Sequence, residues 1–62
     1  MRKGETIVCT ETAFAEGGER IFQRGDERDI IYVDNESPIV MVILPEGKFP
    51  LEWIKKRFRR KI

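Results

Sequence analysis

The sequence lacks histidine altogether and contains a single cysteine, Cys9, among its 62 residues. Histidine is the commonest general base and a frequent zinc ligand, so its absence argues against acid–base catalysis and a structural zinc site. One cysteine excludes an internal disulfide, and no evident partner activates its thiol as a nucleophile. We therefore expect a non-enzymatic protein without metal or cofactor, in which Cys9 is an inert thiol in an apolar strand.

Long apolar runs are missing as well. The longest, 39–44, is far shorter than the roughly 20 residues that cross a bilayer. Arg2 and Lys3 are not followed by the apolar stretch of a secretory signal. These features predict a cytoplasmic protein without membrane association, and the length predicts one domain, 1–62.

Acidic residues are absent from the C-terminal end of the chain. All eleven acids precede Trp53, whereas six of the twelve Lys and Arg residues lie in the segment 55–61. The rest of the chain, with six cations against eleven acids, carries a formal charge of −5, and the basic segment carries +6. Such segregation is typical of segments that bind polyanions, either nucleic acid or an acidic protein.

The candidate binding residues are the cations of this segment and the aromatic residue before it. They are Trp53, Lys55, Lys56, Arg57, Arg59, Arg60 and Lys61. Trp53 and Phe58 flank the first basic cluster, so two interpretations are open. Their rings either stack on nucleic-acid bases or fill the hydrophobic core, with the cations keeping a small protein soluble.

Short apolar runs separated by turn residues predict antiparallel strands. They lie at 6–12, 29–34, 39–44 and 48–51, with turns at 16–19, 24–26, 34–37 and 45–48. The expected core comprises Ile7 or Val8, Cys9, Phe22, Ile31, Val33, Val40, Val42 and Phe58. The C-terminus allows two structures: a helix with Ile54, Phe58 and Ile62 on one face, or a helical turn over 52–57 followed by a closing strand over 58–62.

The order of these segments resembles that of a Src-homology-3-like (SH3-like) barrel, and more closely that of very short SH3-like proteins of bacteriophages and prophages. The matching residues are Gly4 with Ile7, Val8 and Cys9; Phe22 to Gly25 leading to Ile30 and Ile31; and Trp53 to Phe58. The resemblance implies an all-β fold, a small five-stranded antiparallel barrel with one short helical turn near the C-terminus. It also implies a non-catalytic module of a phage or mobile element, acting in the bacterial cytoplasm.

Two functions are therefore expected. In the first, the basic segment contacts nucleic-acid phosphates with little sequence specificity. In the alternative, the protein binds an acidic host protein, for example as an inhibitor, through the apolar strand 39–44 and the basic segment together. Opposite charges on one small molecule also predict self-association into a homo-oligomer.

Overall fold

The structure, a computed structural model that describes residues 1–61, contains eight strands and one helix. The elements are β1 (Thr6–Cys9), β2 (Ala13–Phe14), β3 (Arg20–Phe22), β4 (Glu27–Asp29), β5 (Tyr32–Asp34), β6 (Met41–Leu44), β7 (Gly47–Pro50), α1 (Leu51–Arg57) and β8 (Phe58–Arg60). They build three antiparallel sheets with the strand orders β4-β1-β8, β2-β3 and β5-β6-β7.

The prediction of a mainly β protein with one short helix is confirmed. The finer expectation of a five-stranded SH3-like barrel is not confirmed. Over residues 1–61 the strands are shorter and more numerous, and the three sheets do not close into a barrel.

The chain passes from one three-stranded sheet to the other at Ile30 and Ile31. The Ile30 N–H donates to the Glu5 carbonyl at 2.9 Å, next to β1, whereas the Ile31 N–H donates to the Ile43 carbonyl at 3.0 Å, in β6. Ile30 is consequently buried, with 2% of its surface exposed, and Ile31 is 51% exposed. The expectation that Ile31 lies in the core is wrong, because the change of sheet interrupts the strict alternation of a single strand.

The core contains nine buried apolar residues from every part of the described chain: Ile7, Cys9, Ala13, Phe22, Ile30, Val42, Leu44, Ile54 and Phe58. The predictions for Ile7, Cys9, Phe22, Val42 and Phe58 are confirmed. Val8, Val33 and Val40 are only partly buried. Val8 faces outward because β1 alternates, with Ile7 and Cys9 turned inward.

The C-terminal ambiguity is resolved in favour of a helix followed by a strand. After Pro50, α1 runs from Leu51 to Arg57, and β8 pairs with β1 so that Phe58 lies opposite Cys9. Glu52 in the first turn and the cations of the last turn both match the helix dipole. The single-helix alternative is wrong for Phe58, which is already in the strand, and Ile62 lies outside the described residues.

Turn chemistry explains where the hairpins fall. In the β2-β3 hairpin, the Gly18 N–H donates to the Ala15 carbonyl at 2.9 Å, and Gly18 has a φ of 87° that other residues rarely adopt. The β6-β7 hairpin turns at Pro45 and Glu46, as the sequence predicts, and pairs Leu44 with Gly47. The last strand in the chain, β8, pairs with β1 rather than with a neighbouring hairpin.

Candidate functional site

The basic segment continues across two elements, the end of α1 and the whole of β8. Ile54 and Phe58 are both buried and fix the two elements against the core. The intervening Lys55 and Lys56 are therefore turned to the surface and are exposed. In β8, Arg59 pairs with Val8 on the face of the sheet opposite to the core, and it is exposed too.

Trp53 and Arg57 form a pair within α1. The Arg57 guanidinium carbon lies 4.4 Å from the Trp53 ring centroid, and Arg57 Nη1 donates to the Trp53 carbonyl at 3.3 Å. The indole is also stacked on Phe49, with centroids 5.1 Å apart and an interplanar angle of 21°. Trp53 is thus engaged by its own protein, and little ring surface is left on which a base could stack.

Phe58 has an equally internal environment. Its ring is 3% exposed and meets the Phe22 ring edge-on, with centroids 5.0 Å apart. Of the two interpretations of the aromatic residues, the structure places Phe58 in the core. The basic surface therefore offers cations to a ligand rather than an aromatic platform.

Arg60 and Lys61 are paired with acids of the body. Arg60 Nη1 lies 3.3 Å from Glu5 Oε2, and Lys61 Nζ lies 2.9 Å from Glu27 Oε1. Both pairs join parts of the chain that are far apart in sequence. Glu5 directly precedes β1, the neighbour of β8, whereas Lys61 reaches across β1 to Glu27 in β4. Glu5, Arg59, Arg60 and Lys61 also line one open depression at the end of β8.

Glu5 has a pKa below its ordinary value of 4.5. Desolvation is the largest single influence and raises the pKa, but it is outweighed by several others. These are the hydrogen bond from the Arg2 backbone, the hydrogen bond and charge of Arg60, and the N-terminal ammonium. Since the folded state favours the ionised form, the stabilisation is present above pH 4.5 and is lost as the pH falls through the lowered pKa.

Four cations of the segment make no ion pair with any acid of residues 1–61. One is Arg57, which lies over the Trp53 ring; the other three, Lys55, Lys56 and Arg59, are exposed. We call them the cation triplet. They lie within five consecutive residues, an extended span of at most about 14 Å. The sequence offers six candidate cations, and the structure divides them into the triplet, the ring-bound Arg57, and the carboxylate-bound Arg60 and Lys61.

An apolar surface lies on the other sheet. Ile39 is 58% exposed and, with Val40, Pro50 and Leu51, lines one depression. A second depression shares Val40 and Leu51 with it and extends to Met1, Arg2, Lys3 and Tyr32. The sequence indicates the apolar run 39–44, but Val42 and Leu44 are buried, and sequence reasoning missed Met1, Tyr32, Pro50 and Leu51. Only their apolar character gave a signal, because the surface joins distant parts of the chain.

Two acids at and beside β4, Asp26 and Asp29, accept hydrogen bonds from other parts of the protein. Asp26 accepts the Gln23 N–H at 2.9 Å, and Asp29 accepts the Thr6 hydroxyl at 2.6 Å. Within residues 1–61 no group of three potential metal ligands comes together, and no helix is long and apolar enough to cross a membrane.

We expect Cys9 to react slowly with a thiol reagent, because its side chain is buried and its Sγ lies 3.1 Å from the Glu11 carbonyl oxygen. Labelling should require unfolding, so the rate should rise steeply across a denaturant titration. The Cys9→Ser variant should bind any ligand of the basic segment as the wild type does. Rapid labelling of the folded protein would indicate a reactive cysteine instead.

Comparison of the chain with protein-family models, curated proteins and solved structures found no match.

Proposed function

We propose that this protein is a small SH3-like binding module whose C-terminal cations contact the phosphate backbone of nucleic acid without reading its sequence. The observation that carries the proposal is the cation triplet, Lys55, Lys56 and Arg59. These side chains are exposed, close together along the chain and uncompensated by acids of residues 1–61. Lys and Arg in such a cluster neutralise phosphates and release the counterions condensed on the polymer.

The order of elements supports the SH3-like assignment. A first strand is followed by a hairpin and four further strand segments, of which β5, β6 and β7 form an antiparallel meander. One short helix and a closing strand beside the first complete the order. Residues 27–34 supply β4 to one three-stranded sheet and β5 to the other, so one bent strand links both. In this arrangement the closing strand β8 carries its cations at the edge of a sheet.

The proposal predicts weak binding with a strong salt dependence. Three or four phosphate contacts, from the triplet with or without Arg57, give a log–log slope of affinity against salt of about −3 to −4 on duplex DNA. Fluorescence anisotropy of a labelled duplex between roughly 50 and 200 mM salt measures this slope. Single-stranded DNA should bind no more tightly, because neither Trp53 nor Phe58 has a free ring for stacking.

Two results would contradict this expectation in different ways. No salt-dependent binding to duplex DNA or RNA at about 50 mM salt would remove the nucleic-acid proposal altogether. A marked preference for single strands would show that bases stack on the protein, so that the aromatic contacts of Trp53 open in the complex. Unrelated duplex sequences serve as the control and should give the same affinity.

The second candidate function, binding of an acidic host protein, is favoured by the apolar surface around Val40 and Leu51. The exposed Arg2 and Lys3 line one end of that surface and would attract acidic residues of a partner. Nuclease treatment of material co-purifying with the protein separates the two functions. A nucleic-acid binder loses its co-purifying material, whereas a protein-binding module keeps its partner.

A further inference from the structure

We propose that the depression at the end of β8 is a second phosphodiester site, in which Glu5 and Glu27 hold Arg60 and Lys61 until a nucleic-acid backbone displaces the two carboxylates. This inference rests on the proposed function. It assigns a role to the two cations that the triplet leaves out, and it identifies the acids that limit affinity.

The backbone of β8 fixes the position of this depression. Arg59 pairs with Val8 and Arg60 with Ile7, and the Lys61 N–H donates to the Thr6 carbonyl at 2.9 Å. Three consecutive cations are thereby held along β1 by main-chain hydrogen bonds. Their side chains can change partners without any change in the fold.

Each oxygen of the Glu5 carboxylate has its own donor. One oxygen, Oε2, lies 3.3 Å from Arg60 Nη1, and the other, Oε1, accepts the Arg2 backbone N–H. Guanidinium groups bind carboxylate and phosphate with the same planar geometry. A phosphodiester can therefore replace Glu5 as the partner of Arg60, with Arg59 and Lys61 lining the same depression.

Exchange of partners is easy because both ion pairs are open to water. The side chains of Arg60 and Lys61 are 65% and 53% exposed, and exposed ion pairs contribute little to stability. The carboxylates nevertheless weaken binding in two ways. They repel the approaching phosphate, and once released they gather counterions of their own, which offsets part of the counterion release from the nucleic acid.

The charges facing each carboxylate show that competition, rather than protonation, drives the exchange. Glu5 faces Arg60, the Arg2 backbone N–H and the N-terminal ammonium of Met1, and Glu27 faces Lys61. The groups around Glu5 lower the pKa of its carboxyl, so this carboxylate stays ionised near neutral pH and a second anion is needed to release Arg60.

The test is the Glu5→Gln, Glu27→Gln double variant, assayed on the same labelled duplex as the wild type. Removal of both carboxylates should steepen the salt slope by about 1 to 2, because the contacts of Arg60 and Lys61, worth roughly 0.9 each, then lose the offset from counterions gathered by the freed acids. Affinity at about 50 mM salt should rise by about 10-fold or more. Glutamine keeps an oxygen that accepts the Arg2 N–H, and a circular dichroism melt checks that the variant folds.

A matched control has the same charge change elsewhere. Glu16→Gln with Glu36→Gln removes two exposed acids that make no ion pair within residues 1–61. It should leave the slope unchanged. Equal effects of the two double variants would mean that net charge alone acts, and an unchanged slope for Glu5→Gln, Glu27→Gln would overturn the inference while leaving the triplet as the contact.

The remaining outcomes also decide between the proposals. If the wild type does not bind and the double variant does, a nucleic-acid backbone cannot displace the carboxylates, and both the proposed function and this inference fail. If neither binds, both the proposed function and this inference fail.

A titration of the wild type with inorganic phosphate tests whether the depression binds a free ion. The Arg60 Nε–Hε signal is followed by NMR. The Arg60 signal should shift when the duplex is added. Added phosphate should shift it no more than another salt at the same ionic strength does. A saturable shift with phosphate alone would overturn the assignment to a nucleic-acid backbone, and this measurement does not depend on the folding of any variant.

Discussion

Replacement of Lys55, Lys56 and Arg59 by Gln is expected to abolish measurable binding to duplex DNA. Three lost phosphate contacts correspond to about a 10³-fold loss of affinity at about 50 mM salt, and the salt slope should fall to about −1 or less. The variant should fold normally, because the three side chains are exposed and make no ion pair in the described part of the chain. Anisotropy titrations over several salt concentrations and a thermal melt give both quantities.

A second triple variant separates local contact from net charge. Arg20, Arg24 and Lys48 are also exposed, and their replacement by Gln likewise changes the net charge from +1 to −2. If the triplet makes the contacts, this control should keep most of the affinity and nearly all of the slope. Equal losses in both variants would show only long-range attraction, and full binding by the triplet variant would exclude those three residues as contacts.

The sequence predicts the local elements of this fold well where short-range chemistry decides them. Neighbouring residues leave open whether Phe58 belongs to the helix or to a closing strand. They do indicate the strand at Thr6–Cys9 and the turn at Pro45 and Glu46. Each depends on side-chain periodicity or on the restricted backbone of glycine and proline. Such signals act within a few residues of each other.

The prediction from sequence fails where contacts between distant parts of the chain determine the structure. Residues 29–34 look like one strand, but the chain changes sheets at Ile30 and Ile31, and the inward face shifts by one residue. The hydrogen bonds responsible come from Glu5 and Ile43, which no local pattern connects with this segment.

The candidate site shows the same division. The six cations of 55–61 can be counted in the sequence, and so can the absence of acids around them. The sequence does not show which of these cations are already paired, because Arg60 contacts Glu5 across 55 positions and Lys61 contacts Glu27 across 34. Likewise, the contact of Trp53 with Phe49 depends on the packing of α1 against β7.

Phe58→Ala is expected to destabilise the protein by about 3 kcal/mol or more, the usual cost of removing a buried phenyl ring from a core. The ring is 3% exposed and packs edge-on against Phe22, so little room exists for neighbours to fill the space. A chain of 62 residues has a total stability of roughly 3–9 kcal/mol. The variant should therefore be largely or partly unfolded at room temperature, as urea titrations followed by circular dichroism will show.

Phe14→Ala is the matched control, since Phe14 is 61% exposed in the β2-β3 hairpin. Its loss should change stability by less than about 0.5 kcal/mol, as is usual for surface positions. The comparison tests the position of the C-terminal strand, because Phe58 is the buried residue of β8 and packs it against the core. A loss of stability below about 1 kcal/mol for Phe58→Ala would mean that the ring is exposed. Phe58 would then be available to stack on nucleic-acid bases.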